Sequence, residues 1–161
     1  MTKANAAASI SKRLSNLAQG QGVAFQSIAT SFLIERLVAR LTSDKRLKES
    51  LVFKGGYVGL RVYDSNRFTV DLDALLTKSD LAETLSKTRE AAESDLGDTV
   101  WFRFEKQIDL KTQGEYGGIR QVFRTGIGEP LDDLKRPQIV NFDIGSVTLS
   151  HPRRSCRSQL S

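Results

Sequence analysis

From Phe25 onward the apolar residues recur at intervals of three and four. Phe25, Ile28, Ala29, Phe32, Leu33, Leu37, Val38 and Leu41 form one stripe, while Gln26, Glu35, Arg36 and Arg40 mostly fall off it. A stripe of that period predicts an amphipathic helix with one face in a core. Thr42-Ser43-Asp44 ends it. The segment before it, residues 1–20, is rich in Ala, Ser and Lys and reads as a basic arm or short helix, with Gly20-Gln21-Gly22 as a break.

Beyond the helix the period changes. Leu51-Val52-Phe53 is a short apolar run that ends in Lys54-Gly55-Gly56, residues 57–63 can form a short helix, and Asp64-Ser65-Asn66 is turn chemistry. Over residues 68–76 Val70, Leu72 and Ala74 alternate with Asp71 and Asp73, which predicts a strand with one wet face. Ser79 or Asp80 can cap a helix that runs to about Asp95. Val100, Phe102 and Phe104 alternate with Trp101, Arg103 and Glu105, giving a second strand. A turn over 114–118, a third strand over 119–125 and a polar loop over 129–137 follow. Residues 138–149 make a last strand, with Val140, Phe142 and Ile144 on one face and Asn141 and Asp143 on the other. The last three strands have no helix between them and should run antiparallel, in an α+β fold. Residues 151–161 have no periodicity and read as an irregular basic tail, which leaves one domain over 21–150.

Composition narrows the classes. With 161 residues and 39% hydrophobic content the chain can bury a core. No uncharged apolar run approaches the ~18 residues of a membrane span, and residues 1–15 hold no apolar leader. Cys156, the single cysteine, can form neither an internal disulfide nor half of a zinc cluster. A cytoplasmic protein fits this pattern. The net charge of +5 belongs to the ends: Lys3, Lys12 and Arg13 at one, Arg153, Arg154 and Arg157 at the other, with no acid in either stretch. The middle is nearly balanced, so basicity alone does not point to nucleic acid.

The candidate chemistry lies in Lys54-Gly55-Gly56, followed after fourteen residues by Asp71-Leu72-Asp73. Two Asp separated by one residue on a strand point to the same face, roughly 6.5–7 Å apart at Cα. Carboxylates at that spacing can bracket a divalent cation, and Mg²⁺ favours one or two of them together with phosphate oxygens and water. A Gly-Gly turn exposes backbone N–H groups that can hold a phosphate. Each feature alone has an ordinary meaning: Asp-x-Asp is usually a solvated strand face and Gly-Gly a turn. The glycines match neither the dinucleotide-binding pattern nor the P-loop. His151, the only histidine, lies in the tail, which argues against histidine-based catalysis.

Taken together, Phe53-Lys54-Gly55-Gly56 and Arg67-Phe68-Thr69-Val70-Asp71-Leu72-Asp73 resemble the signature of the AbiEii/AbiGii-type nucleotidyltransferase toxins, within the polymerase-beta-like nucleotidyltransferase superfamily. The helix of Ala24 through Leu41 also resembles the family's N-terminal helix, so the likeness covers about residues 13–150. The resemblance implies a mixed or antiparallel sheet flanked by helices. It implies an Mg²⁺ site at Asp71 and Asp73, with a third carboxylate from a neighbouring strand. Asp143 is the natural candidate and Asp109 the competing one. It implies nucleotide contacts from Lys54, Gly55, Gly56 and Tyr57, with Arg67 and Thr69 at motif positions. The reaction would transfer a nucleotide from an NTP to an acceptor such as tRNA, in the toxin of a toxin–antitoxin or abortive-infection pair, with an antitoxin as partner.

Two features depart from that pattern. Tyr57 stands where the family usually carries Ser, Thr or another small or medium residue, and its ring could crowd or stack near the nucleotide. After Leu149 the chain runs into His151-Pro152-Arg153-Arg154 instead of the helical region expected there, which would leave sheet surface for self-association or a partner. The alternative reading is a shortened, catalytically silent protein of the same fold that acts as a binding module.

Overall fold

The computed structural model describes residues 2–54, 69–78, 80–110, 118–129 and 138–146. The short helix expected over 57–63, most of the turn over 114–118, the loop after Glu129 and the tail lie outside the described residues.

The first segment is a full helix, α1, Lys3–Gln21. The Thr2 hydroxyl accepts a hydrogen bond from the Asn5 N–H at 3.1 Å and caps its start. Gly22 closes it at φ 68°, a left-handed conformation that costs glycine little. Leu14 and Ala18 are buried, and the helix packs on α2, Phe25–Ser43. The predicted stripe of α2 enters the core through Ala29, Leu33, Leu37 and Leu41, joined by Ile34, whereas Phe25 at its start stays exposed. Asp44 ends α2 and at the same time caps the six-residue α3, Lys45–Ser50, through the Leu47 N–H. The apolar run that follows is a strand, β1, Leu51–Phe53.

The remaining elements fall where the periodicities place them: β2, Thr69–Leu76; α4, Leu81–Glu93; β3, Val100–Leu110; β4, Gly118–Ile127; and β5, Gln138–Ser146. Asp80 caps α4 by accepting the Glu83 N–H at 3.0 Å. The sheet order is β1-β2-β5-β4-β3. β3, β4 and β5 pair antiparallel, as their direct succession requires, and β1 pairs antiparallel with β2. β5 lies parallel to β2. The fold is α+β, with four helices and a five-stranded mixed sheet among the described residues. No described helix is long and apolar enough to cross a membrane.

One core unites the layers. Leu33, Leu37 and Leu41 of α2 share it with Leu72 and Ala74 of β2, Phe142 and Ile144 of β5, Phe123 of β4 and Phe102 of β3. Polar residues are buried beside it with their bonds satisfied. Gln121 of β4 is fully buried, accepts from the Thr88 hydroxyl at 2.6 Å and donates to the Leu85 carbonyl at 2.9 Å. Arg40, which the helical pattern assigns to the polar side, is also fully buried. Its guanidinium donates to both oxygens of Asp98 at 2.9 and 2.8 Å and to the carbonyls of Ser94 and Val100, and it lies over the Phe102 ring. The clamp spans Thr99, which sits at φ 67°, a costly conformation for a β-branched residue.

Candidate functional site

The three aspartates are placed by the apolar side of their own strands. Leu72 and Ala74 of β2 and Phe142 and Ile144 of β5 are all 1% exposed or less and face the core. The period of two turns Asp71, Asp73, Asn141 and Asp143 to the opposite face. The parallel register then sets Asp71 beside Asn141 and Asp73 beside Asp143, on strands about 4.8 Å apart. On the far side of β5 the register of β4 sets Arg120 beside Asp143.

This row is no ordinary wet strand face. The side chains of Asp71 and Asp143 are only 16% and 18% exposed. The Asn141 side-chain amide donates to Asp71 Oδ1 at 2.9 Å. Arg120 donates Nε–H to Asp143 Oδ1 at 2.7 Å and Nη2–H to Oδ2 at 2.8 Å, a bidentate fork. The same Nη2 lies 4.0 Å from Asp71 Oδ2. Lys54, at the end of β1, donates its backbone N–H to the Asp73 carbonyl at 3.0 Å. Burial, followed by the negative charge of Asp143, pushes the Asp73 carboxyl above its usual range; Asp71 adds to the rise, and Lys54 and Arg120 oppose it. Asp73 is therefore a carboxylate short of positive charge.

That shortage bears on the divalent cation implied by the motif. Among the described residues no three His, Cys, Asp or Glu side chains are gathered closely enough to hold a metal ion. Asp143 is engaged by Arg120. Asp71 and Asp73 nevertheless offer the hard oxygen pair that Mg²⁺ takes together with phosphate and water, and the repulsion felt at Asp73 is what a cation would relieve. The residues fit such an ion at the β2 pair, with Asp143 one strand away.

Asp109, the competing candidate, is excluded by the sheet. It lies on β3, with β4 and β5 between it and β2. Its register partner Ile119 is paired in turn with Ile144, so Asp109 belongs to the opposite face. Thr69 opens β2 at the position paired with Ile139. Gly55, Gly56, Tyr57 and Arg67 lie outside the described residues. Sequence reasoning missed Arg120 and the hydrogen bond of Asn141. Asn141 shares the alternation of Asp143, which is a usable signal, whereas Arg120 acquires meaning only from the β4–β5 register.

Comparison with known proteins completes this geometry. The family described as nucleotidyl transferase AbiEii toxin, type IV TA system, matches residues 36–158. The chain belongs to this family. A search of curated proteins gave no match. The AbiEii match takes in the C-terminal part of α2 and everything from there through β5, including the three aspartates and Arg120. It also runs to residue 158, into the stretch whose pattern reads as a tail. α1 precedes it.

Proposed function

We propose that this AbiEii-family protein is an Mg²⁺-dependent nucleotidyltransferase that transfers a nucleotide from an NTP to an RNA acceptor of the tRNA class. It would act as a toxin in the cytoplasm, held in check by a partner antitoxin. The observation that carries this reading is the half-buried carboxylate row, with Asp71 and Asp73 on β2 and Asp143 beside Asp73 on β5, within a chain of this family.

Asp71 and Asp73 would hold Mg²⁺, with Asp143 as the third carboxylate. Bound there, the ion would supply Lewis-acid polarisation of the phosphoryl oxygens and neutralise charge on the leaving pyrophosphate. The residues of the chain bind and orient. The parallel register fixes the spacing of the carboxylates, and the Asn141 amide holds the Asp71 carboxylate in one orientation. Gly55 and Gly56 are assigned to the triphosphate through their backbone N–H groups, with Lys54, Tyr57, Arg67 and Thr69 around them. Displacement at the α-phosphate needs no protein nucleophile: the acceptor hydroxyl forms the new P–O bond as the bond to pyrophosphate breaks.

The test is incubation of the folded protein with Mg²⁺, each labelled NTP in turn, and total tRNA. Label on RNA that disappears with chelator is the expected result. No transfer to RNA with any NTP, from protein shown to be folded, overturns the reading. A silent binding module is the second reading, favoured by the engagement of Asp143 with Arg120. Calorimetry separates the two, because a silent fold would show no heat with Mg²⁺ and millimolar NTP.

A further inference from the structure

The guanidinium of Arg120 occupies an unusual place. It forks onto Asp143 at 2.7 and 2.8 Å and stands 4.0 Å from Asp71. It thus spans from β4 over the β5 carboxylate toward β2, and one positive charge serves two acids on different strands. That is the place and the electrostatic task of a cation shared between Asp71 and Asp143. A divalent ion and a guanidinium cannot both rest on the same carboxylate without strong repulsion. With both Asp143 oxygens taken by the fork, ligation by Asp143 competes with Arg120.

The arginine also has somewhere to go. A guanidinium fork matches phosphate oxygens as well as it matches a carboxylate. The Arg120 side chain is 29% exposed, so it is not sealed in packing.

We propose that Arg120 is a positioning residue that latches Asp143 away from metal and releases it when a triphosphate takes the guanidinium in exchange. This rests on the metal site of the proposed function and deepens it. Metal alone meets two carboxylates, and metal with a polyphosphate meets three. The latch makes full assembly of the site depend on the nucleotide, which keeps the acids paired and quiet in its absence.

The test is Mn²⁺ binding without nucleotide, measured by calorimetry on the full chain and on Arg120→Gln, Arg120→Lys and the Arg120→Gln/Asp143→Asn pair. Arg120→Gln should bind Mn²⁺ about tenfold more tightly than the unaltered protein, the scale of one charge-assisted bidentate pair at a partly exposed site. Arg120→Lys, which keeps the charge but loses the fork, should gain less. Adding Asp143→Asn should erase the gain. Equal affinity in the unaltered protein and in Arg120→Gln, lost in Asp71→Asn, overturns the latch and leaves the metal site standing. Absence of Mn²⁺ binding in both overturns the latch and the metal site together. A second measurement needs no variant to fold beyond assigning the signal. The Arg120 Nε–H resonance of the unaltered protein should stay in place with Mg²⁺ alone and shift when Mg²⁺ and inorganic tripolyphosphate are added. A resonance unmoved by tripolyphosphate overturns the latch.

Discussion

Asp73 and Asp143 are register partners on the parallel strands β2 and β5, so two carboxylates remote in the chain stand side by side on one half-buried face. Neither strand pays its apolar side to achieve this: Leu72, Ala74, Phe142 and Ile144 remain in the core. The pairing leaves Asp73 under repulsion from Asp143 and Asp71, and the predictions for the site follow from it.

Asp71→Asn and Asp73→Asn should each lower nucleotide transfer by about 100-fold or more, with Asp143→Asn close behind, because each removes a hard oxygen donor. Asp109→Asn should leave transfer unchanged, since that residue is on the other face of the sheet and beyond β4 and β5. Initial rates at saturating Mg²⁺ and NTP check both statements. A large loss in Asp109→Asn would contradict the assignment of faces.

Asp73→Asn should at the same time raise stability. A carboxyl whose folded value lies above its ordinary 3.8 binds its proton more readily folded than unfolded, so stability falls as pH rises through the interval between the two values and the cost is complete above it. Removing that charge relieves the cost at neutral pH, by no more than about 1 kcal/mol once solvent screening is allowed for. Urea unfolding at pH 7 and pH 4 should show the variant's advantage shrinking at the lower pH.

Arg40 and Asp98 predict the opposite dependence. Burial raises Asp98, but hydrogen bonds from Arg40 and Arg36 outweigh it and hold the carboxyl at about 2. A carboxyl held below its ordinary value contributes stability that is complete above about pH 4 and is lost as pH falls through about 2. Asp98→Asn should flatten the acid limb of the stability curve. Arg40→Leu should cost about 3 kcal/mol, the lower part of the range for breaking a buried pair, because Arg36 still holds Asp98 at 2.7 Å. Denaturant midpoints across that pH range decide it.

Gly126 and Trp101 are register partners on β4 and β3, and a Cβ at Gly126 would meet the indole at 2.9 Å. Gly126→Ala must displace the ring and should cost about 1–3 kcal/mol. Trp101 is the only tryptophan, so its emission reports the displacement directly. An unchanged spectrum with unchanged stability would show that the ring packs elsewhere.

The sequence by itself determined the stripe of α2, the alternations of β2, β3 and β5, the start of α4 to within Ser79 or Asp80, and the side of the strand on which Asp71, Asp73 and Asp143 lie. Those are properties of period and capping, which neighbouring residues settle among themselves. Its motif also carried the family. α3 and β1 escaped because six and three residues are too short for a period to declare itself. Arg40 escaped because a buried charge is made tolerable only by partners that the fold supplies, here Asp98 and the carbonyls beyond it. Tertiary structure alone decided that β5 inserts between β2 and β4, and with it that Asp143 stands beside Asp73 and that Arg120 sits on Asp143. Alternation already favoured Asp143 over Asp109; strand order and register, fixed by burying Phe142 and Ile144 against Leu72 and Ala74, set Asp143 beside Asp73 and put Asp109 on the other face.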